Sequence, residues 1–270
     1  HSARPDVGRH SSAAPARDPL AMAFGLSLAL GVLYLIGGRR SVRLLDARPQ
    51  WTGRQWRATA FFIGLGLFAI GLSGPLDGLA RASMATRTAQ LVVLLMLVAP
   101  LLVVGAPEPR FRRLFVGRPT PSRRLVIMPI LAFLLFNGGI LLAYLPTVYR
   151  ATAGPGWPRE LGQITMLGLA YFFWSQVIAQ PPVHCRLSHL GRVAYLFLSS
   201  AQLRVLGVVL GFASAAFYPV PLVDQQIAAG ILMVPGVVTD LVVLTVCLYL
   251  WLGQDDRRPV RRQQFQPRAG

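Results

Sequence analysis

Long apolar runs alternate with short, arginine-bearing breaks along most of this chain. A helix that crosses a bilayer needs about 20 mostly apolar residues. Seven stretches meet that pattern: 20–38, 58–76, 89–106, 125–145, 161–180, 193–218 and 226–252. Pro100, Pro129 and Pro235 fall inside them and are tolerated in membrane helices. Gly64, Gly66, Gly207 and Gly211 allow close helix contact. No internal repeat is visible, so the pattern predicts one bundle rather than a two-halved transporter. The expected fold is an all-α membrane protein with seven transmembrane helices. A polar, mobile tail (1–19) precedes the transmembrane domain (20–252), and a basic tail (253–270) follows it.

Charge adds an orientation. The 270 residues carry 27 basic and 10 acidic side chains, a net +17, and every basic one is Arg. With 54% hydrophobic and 14% charged residues, the chain is too apolar for an ordinary soluble domain. The arginines sit in short segments between apolar runs rather than in a basic groove, which argues against nucleic acid as a partner. They are dense in the first and third connections and in the C-terminal tail, and sparse in the second, fourth and sixth. The positive-inside rule then places the N-terminus outside and the C-terminus in the cytoplasm. The implied location is a bacterial inner membrane, with anionic lipid as a generic partner of the basic loops. Cys185 and Cys247 offer no disulfide framework.

Two groups of polar residues stand out against this background. Arg204 and Asp240 lie within the sixth and seventh runs, where ionisable groups are expensive. Consecutive antiparallel helices can bring them together as a structural ion pair; a proton relay needs more than one such pair. The second group gathers at helix ends expected outside. Thr86 and Gln90 are four apart and share one helix face, as do Arg159 and Gln163. Tyr144 closes the fourth run, and Asp224 and Gln225 precede the seventh. They form either a solvated rim or an outward-facing polar pocket.

Metal ligands are scarce. Met84, Met166 and Met233 lie in the outer halves of their helices, and thioethers suit Cu(I), but Met in a bundle is ordinarily packing filler. His184, Cys185 and His189 fall in a short connection with no recognised metal spacing. No nucleophile elbow, phosphate loop or metalloprotease motif is present, and no enzymatic activity is expected.

Several segments together resemble the CtaG-like family of cytochrome c oxidase assembly factors. They include "GLSGPLDGLA" (71–80), "LMLVAPLLVVGAP" (95–107), Asn137 with "YLPTVY" (144–149) and "FFW" (172–174). "RLSHLGRVAYL" (186–196), "FYP" (217–219) and "DQQIAAGILMVPG" (224–236) continue the likeness, with Asp224 and Gln225 opening the last. The resemblance implies a multi-span protein that acts with haem–copper oxidase subunits, in a family tied to copper insertion from the extracytoplasmic side. It also implies histidine pairs opening the third and fifth helices and a Trp-His pair closing the fourth. Here Thr86 and Gln90, Ala143 and Tyr144, and Arg159 and Gln163 occupy those places. Hydroxyls and amides are poor Cu(I) ligands, and a permanent cation repels the metal. The expectation is therefore an oxidase assembly protein without a cofactor of its own. Its alternatives are a stable accessory subunit of an oxidase or respiratory supercomplex and, last, a small-solute transporter.

Overall fold

The computed structural model describes residues 51–71, 74–105, 123–154, 156–178, 187 and 189–255. Among them every regular element is helical. The helices are α1 (Trp51–Gly71), α2 (Gly74–Ala82), α3 (Met84–Gly105), α4 (Arg123–Ala143), α5 (Pro146–Ala153), α6 (Trp157–Val177), α7 (His189–Gly211) and α8 (Leu222–Asp255).

The core is apolar, with a minority of polar side chains buried in it, and large apolar side chains also cover the outside. Thr88, Asn137, Gln176, Ser199, Ser200 and Gln225 are buried. Leu134, Leu142, Val205, Val209, Val238 and Leu244 are exposed. Water would penalise such a surface, whereas a bilayer matches it. By length and composition, α3, α7 and the first part of α8 (Leu222–Leu241) are each suited to cross a membrane. Counting the bent pairs α1–α2 and α4–α5 as one span each gives five. The expected seven is therefore not reached among the described residues. The 20–38 run, both expected tails apart from 253–255, and the His184–Cys185 pair lie outside them. The run expected at 161–180 falls on α6, which ends at Val177 and is not among these spans.

Local chemistry explains the helix breaks. The run expected as one helix over 58–76 ends at Gly71, and α2 starts anew at Gly74. At Pro146 the chain loses an N–H, and the residue before it, Leu145, is driven to extended geometry (φ −66°, ψ 131°). The axis turns by 73° there, from α4 into α5. Gly156 has φ 121°, a backbone conformation open to glycine, and leads into α6. Ser83 is extended, and its side chain accepts the Thr86 N–H, so α3 begins at Met84 rather than near residue 89.

Proline also shapes the middle of α3. Leu94–Val98 is a π-helical segment in which the Ala99 N–H reaches back to the Leu94 carbonyl. The Leu95 carbonyl thus loses its usual α-helical partner, and Pro100 has no N–H to replace it. The Trp174 indole on α6 donates to it instead, at 2.8 Å. The distortion and the α3–α6 contact are one feature. Helix pairs elsewhere close through small residues: a Cβ on Gly105 would lie 2.5 Å from the Phe61 backbone nitrogen, so α1 and α3 meet backbone to backbone there.

Candidate functional site

Four helix ends meet at one end of the bundle, and hydrogen bonds define how. Asp224, in the first turn of α8, accepts from Ser83 Oγ (2.7 Å), the Met84 N–H (2.6 Å) and the Ala85 N–H (3.3 Å). A carboxylate from one helix thus caps the positive end of another. Tyr144, just past α4, donates through its hydroxyl to Thr88 Oγ1 at 3.0 Å, and its carbonyl accepts the Tyr218 hydroxyl. Gln225 holds the α7–α8 connection by donating to the Leu210 carbonyl (2.9 Å) and accepting the Phe217 N–H (2.8 Å). Burial pushes the Tyr218 hydroxyl, in that connection, up to about 12. It stays protonated and able to donate at neutral pH.

Next to this cap lies a buried charged cluster. Arg159 Nε is 2.7 Å from Asp77 Oδ1, with side-chain exposures of 4% and 8%. Arg81 joins the other carboxylate oxygen at 3.1 Å from the rim. Arg159 Nη2 donates to Gln90 Oε1 (3.2 Å), and Gln163 Nε2 donates to the same oxygen (3.3 Å). The Gln90 amide nitrogen donates in turn to the Gly71 carbonyl at the end of α1. Five side chains therefore tie α1, α2, α3 and α6 together, and the Asp77 carboxylate is shared by the Arg159 and Arg81 guanidiniums.

A cavity of about 230 Å³ opens beneath this cluster, between α1, α3, α4, α5 and α6. Gln90, Arg159, Gln163, Thr88, Tyr144 and Arg87 line its polar end. Leu67, Phe68, Leu94, Val98, Met166 and Leu169 line the remainder. Arg87 donates to the Tyr149 carbonyl (3.4 Å) and to Thr152 Oγ1, and it lies 4.3 Å over the Tyr149 ring.

Among the residues singled out by sequence, Gln90, Tyr144, Arg159, Gln163 and Met166 border this cavity, and Thr86 does not. The i,i+4 relation of Thr86 to Gln90 puts both on one helix face, yet it is Thr88 that lines the cavity and bonds to Tyr144. The Thr86 backbone serves the Ser83 cap. The three methionines fill different places: Met84 is fully buried beside Asp224, Met166 packs on Gly139, and Met233 packs on Gly207. Arg204 and Asp240 form an ion pair between α7 and α8, steadied by Ser200 Oγ, which donates to Asp240 Oδ1 (3.2 Å). Asp77 and Arg87 are the members that sequence reasoning passed over. Asp77 stood inside "GPLDGLA" as a carboxylate in an apolar context, which was the available signal.

This donor set does not fit copper. Two amides, a phenol, a hydroxyl and a carboxylate-paired guanidinium supply no soft or imidazole ligand, and the thioether in the lining, Met166, packs on Gly139 with no second soft ligand beside it in the lining. The Gln90 amide is moreover committed at both ends to protein partners. Among the described residues, no group of three His, Cys, Asp or Glu side chains is placed to hold a metal ion.

The chain matches the cytochrome c oxidase caa3 assembly factor (Caa3_CtaG) family over residues 32–254, and it belongs to that family. No curated protein and no solved structure matches it.

Proposed function

We propose that this family member supports cytochrome c oxidase assembly as a membrane-embedded, non-enzymatic scaffold that carries no copper itself. The observation behind this reading is the Asp77–Arg159 pair with Gln90 and Gln163. At the places where the resemblance implies metal-binding histidines, the chain has a closed hydrogen-bonded brace. Such a brace holds four helices in register, and its guanidinium repels a metal cation. We read the chain as seven spans in a bacterial inner membrane, with the capped end of the bundle facing outward. The arginine distribution supports that orientation.

The test has two arms. Cells lacking the protein should lose assembled oxidase, and re-expression should restore it. The full chain, purified from copper-replete cells, should contain no stoichiometric copper. Copper held at one ion per chain would overturn the copper-free reading, and unaltered oxidase in the deletion strain would overturn the assembly role.

A second reading, a permanent accessory subunit, is favoured by the Arg204–Asp240 pair. Its side chains remain 31% and 28% exposed on the face of the bundle. A partner helix from the oxidase would shield that polar spot from lipid. Stoichiometric co-purification with the mature oxidase in mild detergent would distinguish this subunit from a transient factor.

A further inference from the structure

The cavity beneath the charged cluster has a composition that the brace does not use. Its polar end holds two arginines in different electrostatic states. Arg159 is paired with Asp77, whose other oxygen holds Arg81. Arg87 has no carboxylate partner among the described residues, and its contacts are a carbonyl, a hydroxyl and an aromatic face. Asp224, at the same end, is occupied by the start of α3, and Glu160 stands in the first turn of α6. Arg87 therefore keeps its positive charge without a carboxylate beside it in a half-buried setting, which an anion would offset.

Below that end the lining is apolar: Leu67, Phe68, Leu94, Val98 and Leu169. The cavity holds about 230 Å³. That is below the usual range for drug-sized ligands. It excludes a large macrocycle and fits a head group with the first part of one chain. Leu142 and Thr165 line the cavity and are themselves exposed, so they stand at its rim. Thr165 is six residues along α6 from Arg159, about 9 Å on a helix. The mouth therefore opens sideways between α4 and α6, toward the face where a bilayer would lie, and leaves a path for the rest of a tail.

We propose that this cavity binds an anionic, acyl-chain amphiphile, with its head at Arg87 and its first methylenes against Leu94, Val98 and Leu169. The head is a fatty carboxylate or a lipid phosphate; both present the charged oxygens that a guanidinium fork recognises. This inference goes beyond the assembly reading and does not rest on the absence of copper.

The test uses the full chain in neutral detergent with parinaric acid, a fluorescent fatty acid, and its uncharged methyl ester. Saturable binding of the acid, at least tenfold tighter than the ester, is expected. Equal binding of acid and ester would overturn the proposal without recourse to any variant. Arg87→Gln should weaken the acid at least tenfold and leave the ester unchanged, and Leu94→Trp should block both by filling the apolar part. Displacement of the probe by oleate identifies the carboxylate source, and displacement by phosphatidylglycerol in mixed micelles identifies the phosphate source. Displacement by neither, or equal displacement by inorganic phosphate, would refute an amphiphile site.

Discussion

Arg159 on α6 and Asp77 on α2 form a buried ion pair at 2.7 Å across 82 positions of sequence. Breaking such a pair leaves one desolvated charge without its partner, at a cost of about 3–5 kcal/mol. Asp77→Asn should lower the thermal midpoint in detergent strongly, and Arg159→Met less so, because Asp77 keeps Arg81. The double variant Asp77→Leu/Arg159→Met should recover much of the loss, because it removes both charges together. Equal damage from the double and single variants would contradict this account.

Asp224 reaches from α8 to the start of α3 and accepts three hydrogen bonds there. Asp224→Ala should destabilise the protein by about 1–2 kcal/mol, the usual range for loss of a helix cap. Asp224→Asn keeps one acceptor oxygen and should lose less. Hydrogen exchange should show the effect first at the amides of Met84 and Ala85; uniform exchange elsewhere with those two unaltered would refute the cap.

Trp174 replaces the partner that the π-helical turn and Pro100 deny to the Leu95 carbonyl. Trp174→Phe keeps an aromatic ring and removes the donor. A loss of about 0.6–2 kcal/mol is expected, the range for a hydrogen bond within a membrane bundle. Pro100→Ala should reduce that loss, since residue 100 then has an N–H to offer. Additive effects of the two substitutions would count against their coupling.

The Tyr218 hydroxyl is raised from 10.0 to about 12, chiefly by burial, with Tyr149 adding to the shift. An acid whose folded pKa is raised favours its neutral form in the folded state. Its contribution is complete below pH 10 and declines as pH rises from 10 through about 12. Stability measured across that window should fall, and Tyr218→Phe should remove this part of the slope. An unchanged slope in the variant would show that other groups govern the alkaline limit.

Several parts of the site were legible from residue patterns. The i,i+4 spacing of Arg159 and Gln163 predicted a shared face, and both meet Gln90. Arg204 and Asp240 stood out because charge is rare in apolar runs, and they are paired. Thr86 failed as a cavity residue. Thr88, two positions on and about 200° around the helix, faces Tyr144, while Thr86 lies beside the Ser83 cap. Asp77 was missed because its partner lies 82 positions away, and no local spacing encodes that distance.

The order of apolar runs by itself determined that this protein is helical and suited to a membrane, since the period and length of such runs follow from local chemistry alone. Pro146, Gly156 and Ser83 likewise explain where individual helices stop and start. Only the tertiary structure decided what the polar helix ends do. It set Arg159 against Asp77 and, among the described residues, left Arg87 without a carboxylate, although in sequence both are arginines near a helix start. That difference is electrostatic and depends on which distant chain segment is brought within about 4 Å, a property of packing that no stretch of sequence carries.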